Sequence, residues 1–90
     1  MTSTYARSPD AMSAEVGDDV VALQATRGFA FGMEGVTAAV WQLLETPRSE
    51  DQIVAALLDD YDVDEEQCRA EIRDLLSMLE TEGLIEGTTR

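Results

Sequence analysis

The apolar residues of this 90-residue chain change their spacing once, near residue 35, and that change limits the fold more than anything else in the sequence. Before it they alternate. In "VVALQAT" (20–26), Val21, Leu23 and Ala25 fall on one face and Val20, Ala22 and Gln24 on the other, and in "FAFGME" (29–34) Phe29, Phe31 and Met33 share a face opposite Ala30 and Gly32. A period of two is that of a strand. After the change, Val36, Ala39, Val40, Leu43 and Leu44 recur at helical spacing and form one stripe. A chain that switches once from strand to helix periodicity reads as α+β, with its sheet ahead of its helices.

The flanking residues refine the elements. "AMSAEV" (11–16) is a weaker strand, joined to the next by "GDD", and Arg27-Gly28 supplies the turn into the third strand. The first helix ends before Pro47. Ser49 followed by Gln52 is a capping-box pattern opening a second helix, with Ile53, Val54, Leu57, Leu58 and Tyr61 on its buried side. Asp64 and Gln67 repeat the device for a third helix, which buries Cys68, Ile72, Leu75, Leu76 and Leu79 and closes at Gly83 in a Schellman ending, with Leu84 against Leu79. The pattern predicts three short strands followed by three helices, in an antiparallel sheet. Residues 1–10 lack periodicity and read as a flexible N-terminal tail, residues 11–86 as the domain, and 87–90 as a C-terminal tail.

Charge narrows the functions open to such a fold. Nineteen Asp and Glu stand against six Arg, with no Lys and no His, for a net charge of -13. A field of that sign repels phosphate backbones and anionic lipid, so neither nucleic acid nor a membrane is expected as a partner. No run approaches the about 18 apolar residues of a membrane span, and the start has no apolar signal segment, so a cytoplasmic location is expected. Without His, and with Cys68 alone, the chain lacks the means for a zinc site or a disulfide, and Cys68 reads as a small core residue.

Several motifs invite a chemical reading and fail on particular residues. Asp60, Asp62, Asp64 and Glu71 match positions 1, 3, 5 and 12 of an EF-hand loop, yet position 6, which must turn sharply, is Glu65 rather than Gly. A helix cap with solvated acids is the better account, and no metal is expected. Ser77 lies deep in a helix and Ser49 in "PRSEDQ", so neither sits where a carrier protein holds its phosphopantetheine serine. No nucleophile elbow or phosphate loop is present, so the chain reads as non-catalytic with no cofactor. Trp41 reads as a core-edge anchor, and Arg69 and Arg73, spaced i, i+4, as partners of Glu65, Glu66 or Glu80.

The order of these elements resembles the PqqD-like family of RiPP recognition elements. Met33-Glu34 stands at the strand-to-helix step, where the family commonly has Asn; Trp41 with Leu43 and Leu44 lies in the first helix. Ser49, Ile53 and Leu57 open the second, Tyr61-Asp62-Val63 forms the turn, and Leu79 to Ile85 closes the last. The resemblance covers about residues 10–86 and implies a winged helix-turn-helix domain. It also implies a non-catalytic adaptor that binds the leader segment of a ribosomally made precursor peptide and presents it to a leader peptidase or other maturation enzyme, most similar to the discrete proteins of lasso-peptide clusters. In the family the leader adds as a strand beside the third strand and the third helix, which here implies Phe29, Ala30, Phe31, Gly32 and Met33 as the pairing strand. Arg69, Ile72, Arg73 and Leu76 are the expected facing groove, on the assumption that their flank of the helix meets the strand. Two alternatives stay open: an accessory subunit of a cofactor-making radical enzyme, as PqqD itself serves, and an acidic winged-helix regulator, which the absence of Lys disfavours.

Overall fold

The computed structural model describes residues 3–89. Nine elements follow in order: β1 (Ser3–Arg7), β2 (Ala11–Val16), β3 (Asp19–Gln24), β4 (Phe29–Met33), α1 (Gly35–Leu43), β5 (Arg48–Ser49), α2 (Glu50–Asp60), α3 (Glu65–Thr81) and β6 (Ile85–Thr89). The strands form two antiparallel three-stranded sheets, ordered β2-β3-β4 and β5-β1-β6.

The first sheet and the three helices are those the periodicity predicts. The second sheet is not. Ser3–Arg7, read above as a tail, pairs along its whole length with Ile85–Thr89, from Ser3 opposite Thr89 to Arg7 opposite Ile85. The domain therefore occupies all the described residues rather than 11–86, and residues 87–89 are strand rather than tail. The architecture is α+β, as expected, but with six strands in two antiparallel sheets, a strand count and order that differ from the expected three strands followed by three helices; α2 and α3 meet through the short connection 61–64. Arg7 helps explain why a polar N-terminal segment orders. Its guanidinium lies 4.5 Å from the centroid of the Trp41 ring and donates to the Trp41 carbonyl from both Nε (3.1 Å) and an Nη (2.6 Å).

Both remaining helices begin as the sequence indicates. The Ser49 hydroxyl accepts from the Gln52 amide at 3.2 Å and the Gln52 side chain accepts from the Ser49 amide at 2.9 Å, which completes a capping box. Asp64 caps α3 through the Gln67 amide at 3.1 Å. At the far end, the Leu84 amide donates to the Leu79 carbonyl and the Gly83 amide to the Glu80 carbonyl, both at 3.0 Å, with Gly83 at φ +78°, giving the Schellman ending.

The core lies between the first sheet and the helices. Val20, Ala22 and Met33 contribute from the sheet, Val40, Trp41 and Leu44 from α1, Ile53, Val54 and Leu57 from α2, and Ile72, Leu76 and Leu79 from α3. The buried face of α1 differs from the predicted stripe: Ala38 and Trp41 are buried while Val36 is 41% exposed. Trp41 sets this rotation, because its indole N–H is held inside by the Ser13 hydroxyl at 2.9 Å.

Candidate functional site

β4 stands at one edge of its sheet, and the ladder shows which of its backbone groups are open. The Ala25 amide donates to the Asp10 carbonyl at 2.9 Å, extending the β2–β3 ladder by one pair. Opposed residues in an antiparallel ladder alternate between bonded and non-bonded pairs. With the register unbroken, Asp19, Val21 and Leu23 bond toward β2, and Val20, Ala22 and Gln24 bond toward β4. Their partners Met33, Phe31 and Phe29 thus direct their N–H and C=O groups inward to β3. Ala30 and Gly32 direct theirs to the open side. The Gly28 amide, which reaches the Gln24 carbonyl at 2.8 Å, agrees with this phase.

The edges of the second sheet are capped by side chains of the molecule itself. On β6 the Ser8-to-Leu84 bond (2.9 Å) fixes the same alternation and turns the Gly87 amide outward, where it donates to the Glu80 carboxylate at 3.2 Å. The far edge of the first sheet, β2, carries Glu15 and is tied to α1 through the bond from Trp41 to Ser13. β5 is two residues long, and its Ser49 amide is held by Gln52. Charge, brevity and side-chain caps are the usual means of blunting a sheet edge. β4 has none of them: its sequence is Phe-Ala-Phe-Gly-Met, and its outward residues are the two smallest.

The strand's two faces differ. Inward, Phe29 and Phe31 are half-buried and Met33 is buried; outward, Ala30 and Gly32 continue a surface with Met12, Val16, Val21 and Leu23, which are 41–64% exposed. Asp19 and Glu34 stand at one end of this surface, beside an open hollow of about 320 Å³ that includes Val21 and Gly32.

The four helix residues expected to form the groove divide between the core and the α2–α3 contact. Ile72 and Leu76 are 1% exposed and form core. Arg69 is held by Glu50 and Asp51 of α2 and by Glu65, and Arg73 by Glu50, so their flank of α3 faces α2. The hydrogen bond to Asp51 is the largest cause of a guanidinium pKa raised above its ordinary value at Arg69. Glu80, on the same flank, faces β6. At 100° per residue, Leu75 and Met78 project from the opposite flank, and both are half-buried against the core. Leu75 belongs to the predicted apolar stripe. Met78 lies outside it and carried no sequence signal beyond its hydrophobicity.

The described arginines are all engaged. Arg7 bonds the Trp41 carbonyl, Arg27 that of Thr81 and Arg48 that of Leu43, while Arg69 and Arg73 meet carboxylates, so each described arginine has an acceptor within the protein. Burial pushes the Cys68 thiol pKa up, with Glu71 adding to the effect, which keeps that side chain an apolar thiol.

Comparisons with known proteins agree with this arrangement. The family model described as coenzyme PQQ synthesis protein D (PqqD) matches residues 19–85. A solved structure described as TbiB1 in complex with the TbiA(beta) leader peptide is 33% identical, superposes with a TM-score of 0.88, and the match covers 94% of this chain and 99% of that one. A second, lasso peptide synthetase B1 complexed with the leader peptide, shares the fold at 20% identity and a TM-score of 0.79, covering 91% of this chain and 96% of that one. A search of curated proteins gave no match. From the span of the PqqD match, and from the likeness to TbiB1 over nearly the whole length of both chains, the chain belongs to the PqqD family.

Proposed function

We propose that this chain is a non-catalytic adaptor of lasso-peptide maturation, which captures the leader segment of a precursor peptide as an added strand on β4 and presents it to a leader peptidase or other maturation enzyme. The observation that carries this reading is the state of the β4 edge: uncharged, free of proline, and with the backbone groups of Ala30 and Gly32 directed outward, whereas β2 carries Glu15 and β5 and β6 are capped by side chains. An extended peptide pairing there gains main-chain hydrogen bonds, while alternate side chains enter the space beside Phe29 and Phe31. The helix side of that space is assigned to Leu75 and Met78. Ile72 and Leu76 support it from within the core, and Arg69 and Arg73 hold α3 to α2. The leader-bound state of TbiB1, a third identical to this chain, supports the same reading.

The enzyme partner is assigned to the outward face carrying Met12, Val16, Val21 and Leu23. This apolar surface is continuous with the outward side of β4, so a protein seated on it also touches an added strand, and its acidic margin at Asp19 and Glu34 favours a partner with basic residues around an apolar centre.

The binding step is tested by adding the TbiA(beta) leader peptide to isotopically labelled protein and following amide exchange. Protection is expected to rise at Ala30 and Gly32, with chemical-shift changes along β4 and at Leu75 and Met78. Saturable binding that leaves those amides unprotected would exclude β4 as the pairing edge.

A further inference from the structure

Gln24 is an amide in a position that packing alone would give to Leu. It is 4% exposed, and its two polar atoms are both used: Oε1 accepts from the Arg27 amide at 2.8 Å, and Nε2 donates to the Gly83 carbonyl at 3.0 Å. A buried amide is tolerated only when so satisfied. Arg27 adds a third tie, its guanidinium donating to the Thr81 carbonyl at 2.7 Å. Together they fasten the turn that starts β4 to the end of α3. The fit is close: a Cβ on Gly83 would lie 3.1 Å from Gln24 Nε2 and 3.2 Å from Arg27 Cζ. Gln24 is also the cross-strand partner of Phe29, the first residue of β4. The opposite end of the strand has no such fastening, since Met33 is held by burial and Glu34 makes no side-chain cap to α1.

We propose that Gln24, together with Arg27, is a specificity-determining positioning residue, which fixes the gap between the start of β4 and the last turn of α3 and so limits the peptide residue beside Phe29 to a small side chain. The proposal rests on the strand-addition reading above. A peptide residue directly opposite Phe29 points its side chain to the same inner face as Phe29. A bulky group there must spread the strand from the helix, and spreading breaks the bonds of Gln24 and Arg27. Farther along β4, beside Met33, larger side chains are accommodated because no polar tie resists them.

The test uses a displayed library of the TbiA(beta) leader peptide with each position randomised in turn, sorted on the intact protein and on Gln24→Met, Arg27→Ala and Arg27→Lys. On the unaltered protein one inward-facing position should favour Gly, Ala and Ser over Phe and Trp by about 10-fold. In Gln24→Met, which keeps the apolar volume and loses both bonds, that preference should fall below about 3-fold. Arg27→Ala should weaken it and Arg27→Lys restore it, because an ammonium can still donate to the Thr81 carbonyl. A purely structural role would instead lower the binding of all library members alike. Unchanged discrimination in Gln24→Met, or tolerance of Trp at every inward position on the unaltered protein, overturns the proposal while leaving strand addition standing. If no library member binds the unaltered protein, strand addition itself fails and the proposal with it. Should Gln24→Met not fold by circular dichroism, the exposed Arg27 pair decides the matter alone.

Discussion

The Gly87 amide donates to the Glu80 carboxylate at 3.2 Å, so the edge of β6 is capped by the helix that precedes it. Ala30 and Gly32 have the same outward geometry on β4 and no such cap. The contrast marks β4 as an edge without such a cap, and it makes the direction of each backbone group testable.

Proline scanning of β4 should split by parity. Ala30→Pro removes an outward N–H and should leave the domain folded while weakening leader binding on the order of 10-fold, the worth of about one hydrogen bond. Phe31→Pro removes a bond to β3 and a half-buried ring, and should destabilise the fold by about 3 kcal/mol or more. Thermal melts and fluorescence anisotropy separate the two effects. Normal binding by a folded Ala30→Pro protein would contradict the strand mechanism.

Replacing Arg69 and Arg73 together by Glu should lower the melting temperature and leave leader affinity within about 2-fold. Both arginines serve the α2–α3 contact, where Glu50 and Asp51 would then face like charge. A large loss of affinity at unchanged stability would return this flank to the groove.

The outward apolar face should be separable from the binding edge. Leu23→Glu changes an exposed side chain and should alter neither the fold nor leader affinity appreciably, while slowing leader removal by the maturation enzyme on the order of 10-fold, the cost of a charge opposite an apolar contact. Unimpaired processing in a reconstituted assay would remove the enzyme from this face.

Tyr5 should make the fold sensitive to alkali. Burial, followed by the carboxylates of Glu80 and Glu50, raises its phenol above the ordinary value of 10.0, with Arg73 acting in the opposite sense. The folded state holds this proton more tightly than the unfolded chain does. Its contribution is therefore complete below about pH 10 and is lost as pH rises through the folded value. Urea midpoints measured from pH 8 upward should fall more steeply above pH 10 for the unaltered protein than for Tyr5→Phe.

Calcium should find no site in residues 60–71. Asp64 is engaged as a cap by the Gln67 amide, Glu71 lies within α3 at 3.3 Å from the Gln67 side chain, and the described residues contain no cluster of three or more potential ligands placed to hold a metal. Titration calorimetry should show only weak association, at about millimolar or above. A saturable one-to-one site in the micromolar range would disagree.

The sequence discloses elements whose determinants are local. Alternation from Val20 to Met33 defines two strands, and the caps at Ser49, Asp64 and Gly83 define helix ends, because each depends on residues a few positions apart. β1 and β6 escape notice because "STYAR" and "IEGTT" have no alternating pattern of their own and pair with one another across nearly eighty residues. The strand proposed to receive the peptide was legible for the same local reason. The orientation of α3 was not: that Arg69 and Arg73 face α2 depends on where α2 sits, and the ion pairs to Glu50 that reveal it join residues far apart in sequence. The phase of α1 depended likewise on a distant hydroxyl, that of Ser13.

Because Ser3–Arg7 has its partner in Ile85–Thr89, β1 cannot pair with β6 until residues 85–89 have been synthesised, whereas β2, β3 and β4 are consecutive hairpins that can form as they emerge. Long-range closure is the slow, entropically costly step of folding, and local pairing precedes it. The molecule thus completes the edge proposed to receive a peptide before it completes its second sheet, and the nascent chain exposes a free strand edge while still short of its full fold. Glu80 caps Gly87 only after α3 and β6 have met, so protection of the β6 edge comes at the end of folding. During that interval the net negative charge of each chain repels another and so opposes pairing between exposed edges.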